Sequence, residues 1–211
     1  MASLNLEDFI NWRDPSLWIS LASITFNPLA WNIVARNEYR NKSLTRFFGG
    51  SVYVGCYFLA AAIFLFGMLR DTLYHNALKS QPTVPLLPND APFNLHIVVP
   101  AVLFITGQVL VITSTYALGI TGTFLGDYFG ILMDHRVEGF PFNVVENPMY
   151  TGSTLSFAAT ALWYEKPAGL FITLYVYLAY KVALSFEGPF TTMIYSKKAQ
   201  SHDGKSSKKE L

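Results

Sequence analysis

Apolar residues in this chain gather into five runs separated by short polar or proline-rich breaks. The first covers 15–35 and is interrupted near its middle by Asn27-Pro28. The second, 51–69, is uncharged and long enough to cross a hydrocarbon core of about 30 Å. The third runs over 95–119, the fourth over 148–163, and the fifth over 167–186 with Lys181 inside it. Runs of this length without alternation predict helices rather than strands. The segment 80–93 holds Pro82, Pro85, Pro88 and Pro92 and reads as an extended loop. Only Glu165-Lys166-Pro167 separates the last two runs, so they form an antiparallel hairpin. The fold class that follows is all-α: a polytopic integral membrane helical bundle with four to five membrane segments. Pro28 leaves the count open, because a proline there suits either a kinked span or a re-entrant dip.

Composition sharpens the class. Of 211 residues, 52% are hydrophobic, 16% aromatic and 14% charged, where a soluble domain carries about a quarter charged residues. A net charge of +1 provides no broad basic face, which argues against a nucleic-acid partner. Cys56 is the only cysteine, so an internal disulfide is ruled out and a cysteine-ligated metal is disfavoured. His75, His96 and His202 are scattered and suggest no metal site. Glu7, Asp8 and Asp14 near the start do not resemble the basic region of a cleavable signal peptide.

Loop charge chooses an orientation. Arg36, Arg40, Lys42 and Arg46 follow the first run, and Lys197, Lys198, Lys205, Lys208 and Lys209 follow the last. The proline-rich loop has Arg70 and Lys79 near its start, and the hairpin turn has Lys166. With five spans both basic regions share one side, and the excess of Lys and Arg puts that side in the cytosol. With four, the loop at 36–50 moves to the lumen. The last four residues, Lys208-Lys209-Glu210-Leu211, match a dilysine retrieval signal of endoplasmic-reticulum membrane proteins, which requires a cytosolic C-terminus. Asn41-Lys42-Ser43 has the glycosylation pattern, but lies close to the membrane on the side read as cytosolic.

The candidate chemistry sits at one mouth of the hairpin. Asn147-Pro148-Met149-Tyr150-Thr151-Gly152 opens the fourth run and Glu187-Gly188-Pro189-Phe190 closes the fifth. Antiparallel helices bring these two polar motifs to the same membrane face. A polar constellation there is where a membrane enzyme holds a water-soluble cosubstrate.

These blocks, with Phe26-Asn27-Pro28, Trp31-Asn32, Ala35-Arg36, the stretch Gly122-Thr123-Phe124-Leu125-Gly126-Asp127-Tyr128-Phe129-Gly130, Phe140-Pro141-Phe142-Asn143 and Pro189-Phe190-Thr191 with Ile194-Tyr195, resemble the phospholipid N-methyltransferase family. The resemblance runs from residue 26 to about residue 195. It implies S-adenosylmethionine as methyl donor, a membrane phospholipid amine as acceptor, no metal, and a bilayer setting in the endoplasmic reticulum. It implies a single membrane-embedded methyltransferase domain over 1–195, followed by a basic cytosolic tail over 196–211. Two elements of the family are associated with the donor. A Gly-x-Gly aligns with Ile105-Thr106-Gly107, and a Glu-Glu pair aligns with Glu187-Gly188, so the chain departs at Ile105 and at Gly188.

Chemistry assigns roles within that resemblance. Glu187 is the group for the donor's ammonium or ribose hydroxyls, through a charge-assisted hydrogen bond. Gly107 and Gly152 permit close backbone approach. Asn147 offers amide donors and an acceptor, and Pro148 fixes the start of the fourth helix. Tyr150 and Tyr128 have ring faces for a sulfonium or ammonium, an attraction of about 0.5–2 kcal/mol. Asp127 is the first candidate to take the proton that a lipid ammonium must lose, with Glu146 and His135 behind it. Positioning alone is the alternative that needs no base. Helix packing is the competing role for Gly122, Gly126 and Gly130. Packing or interfacial anchoring is the expectation for Tyr175, Tyr177 and Tyr180, and snorkelling for Lys181.

The activity implied is methylation of phosphatidylethanolamine derivatives toward phosphatidylcholine, chiefly on the monomethyl and dimethyl intermediates. An isoprenylcysteine-type carboxyl methyltransferase, which has a related element at the hairpin, and a non-enzymatic lipid-binding membrane protein are the rival readings. Oligomeric state is not legible.

Overall fold

The computed structural model describes residues 6–88, 94–134 and 137–207. His135 and the terminal dilysine lie outside the described residues. Six α-helices follow in order: α1 (Pro15–Asn41), α2 (Ser43–Phe47), α3 (Val52–Lys79), α4 (Leu95–Thr123), α5 (Pro148–Trp163) and α6 (Pro167–Ser207), with short 3-10 turns at Leu6–Asp8 and Gly126–Phe129. No strand occurs among the described residues. The helices α1, α3, α4 and α6 are long and apolar enough to cross a membrane. With 16 residues, α5 is about 24 Å long, shorter than the hydrocarbon core.

The N-terminus of α1 is tied down by polar caps. Asp14 accepts from the Ser16 amide at 2.9 Å and the Ser16 hydroxyl at 2.8 Å, with Pro15 at the first helical position. The Ser80 hydroxyl also donates to Asp14, which joins the start of α1 to the end of α3. Helix α1 runs through Pro28 as one helix of 27 residues, so the break at Asn27-Pro28 does not form. The Asn27 side chain laces this region: its amide donates to the Ser23 and Phe66 carbonyls, and its oxygen accepts from Trp31 Nε1 at 3.1 Å. Neighbouring groups thus support the backbone around a membrane proline. At the other end Lys42 adopts a left-handed conformation, and the buried Glu38 carboxylate accepts from the Leu44 amide at 2.6 Å and from the Thr45 hydroxyl. Glu38 therefore closes the α1–α2 corner.

Helices α3 and α6 outrun their apolar segments furthest. Helix α3 continues past Leu69 to Lys79 because Tyr74, Ala77 and Leu78 keep the helical spacing and are buried. Arg70, expected in a loop, is therefore inside the helix. Its guanidinium donates to Tyr180 Oη, pairs with Asp71 at 2.7 Å and lies 5.1 Å from the Phe157 ring. Tyr180 also exchanges a hydrogen bond with Ser153 at 3.0 Å and is buried, so of the two roles expected for it, packing is the one it plays. Helix α6 extends to Ser207, carrying the segment beyond residue 195 on as helix.

At Gly119 (φ 65°, ψ 178°) α4 kinks, a conformation open to glycine but not to residues with a Cβ. The α5–α6 hairpin is tight. Glu165 takes a left-handed conformation, the Lys166 amide donates to the Ala161 carbonyl at 2.9 Å, and Lys166 Nζ reaches the Gln81 carbonyl at 2.6 Å.

The connectivity sorts the helix ends onto two faces. One face gathers the start of α1, the end of α3, the proline-rich loop and the α5–α6 turn. The opposite face gathers the end of α1, the start of α3, the Gly126–Phe129 turn, the start of α5 and the later part of α6. Arg36, Arg40, Lys42, Arg46, Lys197 and Lys198 all belong to this second, basic end. Leu17, Ile24, Leu78, Ile172 and Val176 form the buried centre near the first face. Leu29, Ile33, Leu65, Ile112 and Val182 point outward, as expected where hydrocarbon is the solvent.

Candidate active site

At the basic end, the start of α5 is set by Asn147 in the cap position and by Pro148, fully buried at the first helical position. That start turns Tyr150 toward α6, where its hydroxyl donates to Glu187 Oε2 at 2.6 Å and its ring lies 4.7 Å from Tyr180. The other carboxylate oxygen of Glu187 accepts from Asn32 Nδ2 of α1 at 2.8 Å. Glu187 is therefore held by two neutral donors from two other helices.

Around it the chain builds a mixed aromatic and polar wall. The Tyr128 ring stacks on Phe190 at 5.0 Å with 10° between planes. The Arg36 guanidinium lies 4.8 Å from the centre of the Phe190 ring, and Nη2 donates to the Phe186 carbonyl at 2.8 Å. Asp127 accepts from Thr191 Oγ1 at 2.9 Å and from the Tyr128 amide at 3.1 Å. Thr191 is one helical turn beyond Glu187, which brings Asp127 to the same junction.

Three buried polar atoms here have no partner: Asn32 Oδ1, Arg36 Nε and Tyr128 Oη. An unsatisfied buried polar group costs about 1–3 kcal/mol, and native proteins rarely leave three together without something to satisfy them. A junction of one anchored carboxylate with unused donors and acceptors, walled by aromatic rings, fits a cationic ligand that also carries hydroxyl and carboxylate groups. Among the described residues no group of His, Cys, Asp and Glu is arranged to hold a metal.

The residues singled out from sequence divide into three groups. Glu187, Tyr150 and Asp127 meet at this junction, with Asn147 and Pro148 at the α5 start beside them. Gly188 is exposed, and nothing lies within 4 Å of where its Cβ would be. Gly107 and Gly152 face each other where α4 crosses α5. A Cβ on Gly107 would lie 2.6 Å from the Gly152 carbonyl oxygen, and one on Gly152 would lie 2.5 Å from that of Gly107. The close approach these glycines permit is to each other. Residues 150 and 152 are about 200° apart around α5, so the crossing and Glu187 occupy opposite sides of that helix. Thr106 is exposed, and Ile105 lines a separate apolar cavity of about 470 Å³ with His75, Pro100, Phe104 and Trp163.

The motifs alone give Asn32 and Phe190 no role, and Arg36 only a place among the basic residues after the first run. The signal for Asn32 and Arg36 was their polarity within a membrane helix, a context that favours function. On apolarity alone the first run ends at residue 35, which leaves Arg36 in a loop; the helix continues to Asn41.

Comparison with known proteins finds one matching family and several named relatives. The family described as phospholipid methyltransferase matches residues 95–198. A phosphatidyl-N-methylethanolamine N-methyltransferase of Neurospora crassa is 54% identical over 98% of this chain and 96% of that protein. The protein of the same name from Saccharomyces cerevisiae is 54% identical over 89% of this chain and 88% of its own length. A human phosphatidylethanolamine N-methyltransferase is 45% identical, covering 90% of this chain and 94% of that protein. No solved structure matches the chain.

Proposed function

The chain belongs to the phospholipid methyltransferase family, and on that premise we propose that it uses S-adenosylmethionine to methylate the amine of phosphatidylethanolamine derivatives, principally the monomethyl and dimethyl forms, giving phosphatidylcholine. The observation that carries this reading is Glu187, fixed by Tyr150 and Asn32 at a junction with three unpartnered buried polar atoms. Relatives at 50–54% identity carry the monomethyl-lipid name and those at 45–46% the phosphatidylethanolamine name, which supports the later steps.

Glu187 holds the donor's ammonium or ribose hydroxyls, its two bonds to neutral partners fixing the carboxylate while leaving lone pairs free. Asn147, Pro148 and Gly188 border this position, and Asn32 Oδ1 accepts from the same ligand. Gly107 and Gly152 act on the donor site through packing: they set the α4–α5 spacing that aims Tyr150 at Glu187. S-adenosylmethionine supplies an electrophilic methyl group on a sulfonium. Tyr150, Tyr128 and Phe190 give that positive charge an aromatic, water-poor wall. Asp127 takes the proton from the acceptor's ammonium, directly or through water, so that the nitrogen lone pair is free to attack. Holding both partners in line supplies much of the remaining acceleration.

The basic end and the C-terminus face the cytosol, because cationic loops remain on that side and the donor is water-soluble, and the dilysine pattern at Lys208-Lys209 supports the endoplasmic reticulum as the membrane. The test is methyl transfer from labelled S-adenosylmethionine in membranes holding this chain, with phosphatidylethanolamine and its monomethyl and dimethyl derivatives offered separately. Product from the two methylated lipids alone is the expected result. Product from all three makes the enzyme complete for the three steps, and product from none overturns the reading.

A further inference from the structure

A shallow, open cleft of about 320 Å³ runs along the surface of α1 near its C-terminal end, lined by Ile33, Arg36, Asn37, Arg40 and Asn41 of that one helix. Within it, Asn37 and Asn41 bond to each other and Asn37 to Ser43, so their amides are partly used. Arg36 uses Nη2 on the Phe186 carbonyl and leaves Nε without a partner, and the Arg40 guanidinium is unused. Neither Arg36 nor Arg40 is ion-paired, and Arg40 is exposed and makes no hydrogen bond. Two unpaired guanidiniums one helical turn apart are suited to an oxyanion, and arginine favours phosphate by its forked geometry.

Toward the middle of α1 the same helix face is apolar. Phe26, Leu29 and Ile33 are exposed and, with Arg36 and Arg40, follow steps of three and four residues along one face of α1. That stripe is apolar at hydrocarbon depth and cationic near the helix end, which matches acyl chains below and a phosphate above. Inward, Arg36 Nη2 bonds the Phe186 carbonyl, one residue before Glu187. In an ethanolamine phospholipid only two carbons separate the phosphate ester oxygen from the amine. A phosphate on Arg36 therefore delivers its amine to the Glu187–Asp127 junction.

We infer that this α1 cleft seats the phosphodiester of the acceptor lipid, with Arg36 and Arg40 as its ligands and the stripe Phe26–Leu29–Ile33 as the track for lateral access. The inference rests on the proposed lipid methylation, and it names the group by which the acceptor is recognised.

Two measurements on the full chain in mixed micelles separate it from its rivals. The first is the KM for dimethyl-phosphatidylethanolamine and for S-adenosylmethionine in wild type, Arg40→Gln and Arg36→Lys. The Arg40 side chain is exposed and makes no hydrogen bond or ion pair, so its replacement should leave the fold intact. The lipid KM should rise about tenfold in Arg40→Gln, as expected for loss of one charged contact, while the donor KM stays constant. Arg36→Lys should do the same by losing the fork. A rise in the donor KM instead would hand the guanidiniums to the donor's carboxylate and overturn the proposal, as would no change in either. The second needs no turnover: retention of fluorescent phosphatidylcholine against fluorescent diacylglycerol. Wild type should prefer the phospholipid, and Arg40→Gln should lose the preference. Displacement of the phospholipid by inorganic phosphate would assign the cleft to the free ion and overturn the lipid assignment. A wild type that shows the preference yet methylates no lipid would uphold the cleft while removing the methyltransferase reading.

Discussion

Two regions carry the family's donor-associated residues, and they are built in opposite ways. At the α4–α5 crossing, Gly107 and Gly152 bring backbone against backbone, with Leu110, Val111 and Ser156 filling the flanks. Nothing there is left unsatisfied except space itself, since any added Cβ collides with a carbonyl oxygen. At the α1–α6 junction, Glu187 is pinned by side chains from two helices while Asn32, Arg36 and Tyr128 retain unused polar atoms. One region has spent its interactions on packing; the other has kept some in reserve. The difference teaches that residues sharing a functional motif need not share a task. The crossing fixes where α5 sits, and α5 then aims Tyr150 at Glu187.

That division is open to direct attack. The largest effect should come from Gly152→Val, which forces a branched side chain into a contact already at 2.5 Å for Cβ alone. Overpacking of this kind costs about 1–3 kcal/mol or more, so the folded fraction and the melting temperature in detergent should fall together. Any protein that remains folded should bind S-adenosylmethionine with unchanged affinity. A normal melting temperature with weakened donor binding would move Gly152 into the donor site.

Next comes Tyr180→Phe. It strips the hydroxyl that Arg70 and Ser153 share and leaves a buried guanidinium short of a partner. A loss of about 1–3 kcal/mol is expected from the orphaned donor, read as a lower melting temperature. Activity at permissive temperature should fall less, since Tyr180 touches Tyr150 only through its ring. The smallest effect belongs to Gly188→Glu, which supplies the second glutamate of the family pair. With no atom within 4 Å of the new Cβ, the melting temperature should move by less than about 0.5 kcal/mol equivalent. A large loss of stability there would mean that the turn around residue 188 is tighter than its geometry indicates.

What sequence could reveal follows the same line between local and distant causes. The helices were legible because apolar runs and a short turn are local signals. Glu187 and Tyr150 became neighbours on paper through hairpin logic alone, and their 2.6 Å contact bears that out. Arg70 was misread because a charge normally ends a membrane segment, and its partner Tyr180 stands 110 residues away. Asn32 escaped for a similar reason: its bond to Glu187 spans 155 residues and depends on how α1 packs on α6. Proline at 28 suggested a break, yet Asn27 and Trp31 supply side-chain bonds that no propensity records. At Gly107 and Gly152 close backbone approach was legible from the residue type, but not what would be approached.

The most direct measurement is equilibrium binding of labelled S-adenosylmethionine to purified wild type and Glu187→Gln, each checked for a normal melting temperature. Replacing the carboxylate removes a charged hydrogen bond, so donor affinity should fall about 10- to 100-fold with the fold intact. Equal affinity in the two proteins would contradict the assignment of the donor to the Glu187 junction.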